Sequence, residues 1–335
     1  MYVRARTARL NARSSDVSTS PCKIAARTGA SHRKPRAAIA AAVLSAACWG
    51  SATVMSKGVL EHMQPLTLLT VQLLASILFL WTVVLVLRLR VPLNRPVRRA
   101  SLSGLLEPGL AYSVGIAGLA LTTASNATLI GTAEPLFILL LAWLFLRERF
   151  GGSVVGLALL ASLGIALIML PDIRGGAGEG SLLGDALLVL GTLFAALYVI
   201  ATRRLVMTLD PLPLSALQQS VGLLWTLAVL ASALAFGVAS LGLGGIPAGV
   251  LLLAAVSGIV QYALAFWLYL FALRSLPANV AAFYLALIPV FGVGAAYLFL
   301  GEMLSGLQWI GATLIVVSVA LISRSDSSLD STSGN

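Results

Sequence analysis

Leu144-Phe145-Leu146-Arg147-Glu148 and Leu298-Phe299-Leu300-Gly301-Glu302 are one phrase written twice, at an offset of 154 residues. Thirteen residues before each glutamate stands a proline, Pro135 and Pro289, inside an apolar run. The duplication extends further: Pro65 to Gln72 and Pro211 to Gln218 both place a glutamine seven residues after a proline. The chain is thus internally duplicated, and the apolar setting of both copies makes it a duplicated membrane protein. Two similar helical halves can rock against each other around a site between them, which is the usual build of secondary transporters.

Composition leads to the same class. The 335 residues are 59% hydrophobic and 10% charged, with a mean hydropathy of +0.98. That is more apolar surface than one soluble core can hide, so most of it must face lipid. A helix needs about 20 apolar residues to cross about 30 Å of hydrocarbon. Ten stretches qualify, at 38–59, 65–87, 101–121, 124–146, 152–171, 182–202, 212–236, 246–272, 277–299 and 305–323. Five spans per half is an odd number, so the second half must enter the membrane upside down relative to the first. The expected fold is therefore an all-α integral membrane protein of ten transmembrane helices in two inverted five-helix repeats, 38–171 and 182–323. Residues 1–36, basic with Asp16 as the one acid, and 324–335, rich in Ser and Asp, cannot bury a core and are expected to be disordered tails.

The net charge of +10 is a matter of topology. Nine of the 22 lysines and arginines precede the first span, and Arg88 to Arg99, Arg147, Arg149, Arg203, Arg204, Arg274 and Arg324 fall in every second connection thereafter. Only Lys57 and Arg174 are left for the opposite face. Positive charge held on the cytoplasmic side produces this asymmetry and puts both termini inside, in a multi-pass protein of the cell membrane. No basic patch is interleaved with aromatics, so a nucleic-acid partner is not expected. The Arg-rich, acid-poor start also fits an organellar transit peptide, whereas the apolar stretch from Ala37 is too long for a secretory signal.

The residues from Ala120-Leu121-Thr122-Thr123-Ala124-Ser125-Asn126-Ala127 through Pro135-Leu136 to Leu146-Arg147-Glu148 resemble the signature of the EamA family. The second copy, from Ala272-Leu273 to Pro289 and Glu302, resembles it too, as do Trp49-Gly50, Gly184-Asp185 and Arg203-Arg204. The resemblance covers 38–323 and implies the drug/metabolite transporter superfamily: ten helices, two EamA repeats, cytoplasmic termini, and export of metabolites such as amino acids, or of drugs. One departure is Gln72, which stands where many relatives carry an arginine.

Ionisable groups inside hydrocarbon cost several kcal/mol unless they face a cavity or a partner, so intramembrane acids are the first site candidates. Glu134 lies mid-span and Glu107 about two turns in from the cytoplasmic end of its span. Each precedes a proline, Pro135 or Pro108, that cannot bond the carbonyl four residues back, at Gly131 or Gly104. Pro108, Pro135 and Pro289 are expected to kink their helices. An acid beside a freed carbonyl suits substrate binding or proton coupling. The plain alternative is a kink made for packing, with the carboxyl hydrogen-bonded to a neighbouring helix.

Gln72, Gln218, Gln219 and Gln261 are candidates either for lining the cavity or for interhelical hydrogen bonding, with Trp49, Tyr112, Tyr262, Trp267 and Tyr284 as the aromatic members of the set. Glu148 and Glu302 read as interfacial caps or ion-pair partners, and Asp185 as a helix-start residue. His32 and His62 lie outside the spans, Cys22 and Cys48 have no metal spacing, and no phosphate-cradling loop opens a helix. No cofactor, metal or enzymatic activity is therefore expected. The expected function is secondary active transport of a small-molecule substrate through the lipid bilayer, with protons as a candidate coupling ion. A nucleotide-sugar or phosphate-ester carrier of the same superfamily, and a membrane channel or sensor, are the alternatives.

Overall fold

The computed structural model describes residues 35–91, 94–146, 151–173, 181–202, 211–237, 239–242, 244–273, 284–285 and 287–332. The basic segment before Pro35 and the expected roles of Glu148, Arg147, Arg149, Arg174, Arg203, Arg204 and Arg274 fall outside these residues. Among the described residues all regular structure is helical. The helices are α1 (Pro35–Leu60), α2 (Pro65–Val86), α3 (Arg95–Leu102), α4 (Ala111–Leu121), α5 (Ala124–Gly131), α6 (Glu134–Leu146) and α7 (Gly152–Ile173). After them come α8 (Leu182–Thr202), α9 (Pro211–Ala235), α10 (Ala248–Gly258), α11 (Ala265–Leu273), α12 (Ile288–Leu300) and α13 (Gly306–Thr332).

Among the described residues six continuous helical stretches are long and apolar enough to cross a membrane, and α5 with α6 makes a seventh bent by 40°. Helices α7, α12 and α13 add shorter apolar cores. Helix starts follow local chemistry. Proline opens α2, where its missing N–H costs nothing. The Asn94 side chain accepts from the Val97 N–H at the start of α3, and Thr123 does the same for Asn126 at the start of α5. Gly301, at φ 70°, ends α12 in the left-handed conformation that a glycine adopts without strain. At the C-terminal end α13 runs on to Thr332. From Arg324 to Thr332 there is no glycine or proline to stop it, and extending a formed helix costs far less than nucleating one.

Two of the long stretches are broken in the middle. Between α3 and α4 the backbone at Glu107 opens to φ −142°, ψ 120°, and between α10 and α11 residues Ile259–Leu264 form a widened π-type turn. These breaks stand at matching places in the duplication, since the offset of 154 that pairs Pro135 with Pro289 also pairs Glu107 with Gln261.

Packing repeats the duplication. Helix α1 packs on α12 as α8 packs on α6, and α1 packs on α10 and α11 as α8 packs on α4 and the turn before it. Helix α2 packs on α10 as α9 packs on α3, while α2 meets α9 and α7 meets α13. Small residues permit the close crossings. A Cβ on Gly104 would collide with the backbone of Gln218, and one on Gly258 with the backbone of Gln72. At the α7–α13 crossing the contact is reciprocal: a Cβ on Gly164 would sit 2.7 Å from the Gly311 carbonyl, and one on Gly311 2.6 Å from that of Gly164.

Leu68, Leu69 and Leu73 of α2 are buried with Ile116 and Leu119 of α4 and Ile130 of α5 in the largest apolar cluster. Leu78, Leu159, Leu224, Leu252, Leu298 and Phe299 point outward and are well exposed. Such a surface is stable only against lipid.

Candidate functional site

Glu107 shapes the site because of the residue that follows it. Pro108 has no N–H and its ring crowds the preceding backbone, so residue 107 is driven out of the helical region into an extended conformation. The helix breaks there, and the Glu107 side chain joins Pro108 and Tyr112 on one wall of a narrow cavity. The second repeat supplies the opposite walls: Tyr198 from α8, Ser215, Gln218 and Gln219 from α9, and Tyr262 and Phe266 from the region of the second break. The cavity thus lies between the repeats, beside the two places where long helices are interrupted.

Hydrogen bonds fix its walls. Tyr112 stands beside Glu107 within electrostatic reach, and the Tyr112 ring meets Tyr262 edge-on with centroids 4.8 Å apart. Gln218 accepts from the Tyr198 hydroxyl at 3.1 Å and donates to Ser103 Oγ at 2.9 Å. Gln219 donates to the Tyr262 carbonyl at 2.7 Å and accepts from Ser76 Oγ at 2.6 Å, so it links α2, α9 and the second break. Behind Phe266 stands Trp49, whose ring centroid lies 5.1 Å from that of Phe266 and 5.8 Å from that of Tyr269. Glu134 approaches from α6, close enough to interact electrostatically with Glu107, and both acids act on Tyr112 and Tyr198.

Of the residues singled out from sequence, Glu107, Pro108, Tyr112, Gln218, Gln219 and Tyr262 line the cavity, and Glu134 and Trp49 stand around it. Gln72 has another place. It is fully buried and donates to Ser56 Oγ at 2.7 Å and Ser257 Oγ at 2.8 Å, which ties α2 to α1 and α10. Gln261 accepts from Ser56 Oγ at 3.3 Å in the same network. Gln72 and Gln218 are nonetheless counterparts, for Gln72 bonds Ser257 as Gln218 bonds Ser103, each beside the glycine its backbone crosses. Pro108 is buried at its break, Pro289 stands in the first turn of α12, and Pro135 in the first turn of α6 just past the α5–α6 bend.

Tyr198, Ser215, Phe266 and Tyr269 were not singled out from sequence. Phe266 was within reach, because the 154-residue offset pairs it with Tyr112. Tyr198 carries no such signal, since aromatics near span ends usually anchor the interface.

A second polar cluster closes one end of the bundle. The Glu302 carboxylate, 8% exposed, accepts from the backbone N–H groups of Ala124 and Ser125 at 2.8 Å each and from Ser125 Oγ at 2.6 Å. It caps α5 from the other repeat, where the helix dipole favours an anion. Asp185 is fully buried and accepts from Thr122 Oγ1 at 2.7 Å and from Asn126 Nδ2, while Gln308 donates to Asn126 Oδ1 at 2.9 Å. Ser181 takes the cap role at the start of α8, accepting from the Gly184 N–H at 3.1 Å, and Asp185 instead holds the α4–α5 junction.

Among the described residues no three His, Cys, Asp or Glu side chains come together as a metal site. The cavity offers acids, amides and aromatic faces, a chemistry suited to holding a solute.

Comparison with known proteins agrees with this architecture. A family model described as the EamA-like transporter family matches twice, over residues 36–170 and 182–324. No curated protein matches the chain. One crystal structure of a protein superposes with a TM-score of 0.59 at 18% identity, over 85% of this chain and 98% of its own, which is a likeness of fold. With the family model matched once in each half and apolar helices throughout, the chain is a multi-pass membrane protein that belongs to the EamA-like transporter family.

Proposed function

We propose that the protein is a secondary active transporter that exports a small organic metabolite, such as an amino acid, across the cell membrane by alternating access. In this reading ten spans form two inverted five-helix repeats, 38–171 and 182–323, with both termini cytoplasmic and residues 1–36 and 324–335 as tails. The observation that carries it is the cavity between the repeats, bounded by Glu107 and Tyr112 on one side and by Tyr198, Gln218 and Tyr262 on the other. A solute held there touches both halves, so rocking one against the other moves its exit from one face to the other.

Three further observations support the reading. Helix contacts recur with the repeats exchanged. Twenty of the 22 lysines and arginines fall on one side of the ten-span scheme. The loop after α1 meets the loop after α9, with Gln64 donating to Ser240 Oγ at 3.1 Å and accepting from the Ser240 N–H at 3.1 Å. The scheme puts both loops on the outer face.

Glu107 and Glu134 are the proposed proton-coupling pair. They face Tyr112, Tyr198, Tyr262 and Tyr269, and no basic residue lines the cavity among the described residues. That lining also counts against a phosphate-ester carrier, which needs cationic groups there. Reconstitution in proteoliposomes tests the proposal. Counterflow of a radiolabelled solute, driven by its own unlabelled gradient and slowed in Glu107→Gln and Glu134→Gln, is the expected result. Flux at channel rates without counterflow refutes alternating access, and a rate unaffected by pH refutes the proton role.

A further inference from the structure

We infer that the cavity selects organic cations: small solutes that present an ammonium group on an apolar or aromatic body, without a carboxylate of their own. The inference rests on the transport reading above and replaces the amino acid given there as an example with a solute class that lacks a carboxylate.

Charge is the first argument. Glu107 lines the cavity and Glu134 stands within electrostatic reach of it. The remaining lining is aromatic, amide, hydroxyl and proline, and none of it is basic among the described residues. The two repeats divide this charge unequally, because the position matching Glu107 is the neutral Gln261, which is occupied with Ser56 at 3.3 Å. Among the described lining residues nothing offsets the acids with a fixed positive group. A solute entering this space near two carboxyls gains if it brings positive charge and loses if it brings negative charge.

The second argument is the aromatic wall. Tyr112, Tyr262 and Phe266 line the cavity, and Trp49 and Tyr269 continue the wall behind Phe266 through edge-on contacts. Ring faces attract ammonium groups most strongly where water is excluded, and they also accept an apolar body. Carboxyl and rings are neighbours, since Tyr112 lines the cavity beside Glu107 while its ring packs on Tyr262. One end of a bound amine thus meets the acid and the other meets rings.

The test is a charge series on one skeleton: phenethylammonium, neutral 2-phenylethanol, anionic 3-phenylpropionate and zwitterionic phenylalanine. Each is added to the purified full chain, with thermal shift and equilibrium binding as readouts. The cation alone is expected to stabilise, with affinity falling on the order of tenfold in Tyr262→Leu and at least as much in Glu107→Gln. The wild-type series decides the matter even if a variant does not fold. Equal or better stabilisation by the anion, the alcohol or the zwitterion overturns the inference, as does a cation that stabilises Glu107→Gln as well as wild type. Counterflow with the same series separates the two failures. Exchange of the zwitterion or anion but not the cation leaves the transport reading standing and removes this one, while exchange of no solute, in this series or in a wider metabolite panel, removes both.

Discussion

Removal of Glu302 is the sharpest test of how the two repeats are fastened. Its carboxylate takes three hydrogen bonds from the start of α5, from the Ala124 and Ser125 N–H groups and from Ser125 Oγ, at 2.6 to 2.8 Å. Hydrogen bonds to a charged group contribute about 1.5–3 kcal/mol, and loss of a helix N-cap costs about 0.5–2 kcal/mol. The three bonds share one acceptor group and do not add, so Glu302→Ala is expected to cost about 3 kcal/mol. Glu302→Gln keeps the shape but replaces one acceptor oxygen with a donor NH2 facing other donors, and about 1.5–2 kcal/mol is expected from the same reasoning. The assay is reversible unfolding in mixed detergent micelles, followed by circular dichroism. A double-mutant cycle of Glu302→Gln with Ser125→Ala should give a coupling of about 1 kcal/mol, because the Ser125 hydroxyl donates to that carboxylate. A cost below about 0.5 kcal/mol for Glu302→Ala, or strict additivity in the cycle, would refute the cap.

Other expectations follow from the same geometry. Gly258→Ala and Gly104→Ala each drive a methyl group into the backbone of Gln72 or Gln218, and each should destabilise by about 2–3 kcal/mol in the same unfolding assay. Gln219→Leu abandons the Tyr262 carbonyl and the Ser76 hydroxyl, with an expected loss of about 1–2 kcal/mol and a looser α2–α9 crossing. Glu107→Gln should leave the melting temperature near that of wild type while abolishing accumulation driven by a pH gradient, measured in proteoliposomes with internal and external pH set separately. In a cysteine-free background, Ser240→Cys should react with a membrane-impermeant maleimide added to intact cells; labelling only after lysis would invert the proposed topology.

Much of this protein is written along one dimension of its sequence. Apolar stretches mark where helices run, because hydrocarbon admits a backbone only when its polar groups bond internally. The Leu-Phe-Leu phrases and paired prolines disclose the duplication, and the placing of arginine carries the orientation. Local chemistry also marked the break at Glu107, since a proline disfavours the helical conformation of the residue before it.

Other features depended on which faces of distant helices meet. Gln72 and Gln218 are matched in sequence, yet Gln72 is buried in a three-helix hydrogen-bond network and Gln218 borders the cavity, because the cavity opens beside α9 and not α2. Asp185 lies in the first turn of α8, and what it holds is the α4–α5 junction. Glu302 caps a helix that begins 178 residues earlier in the chain. The gathering of Glu107, Tyr112, Tyr198 and Tyr262 around one space follows from the rotation of four helical segments about their axes. Glycines with no room for a Cβ fix those rotations, and a pattern of hydropathy carries no record of them.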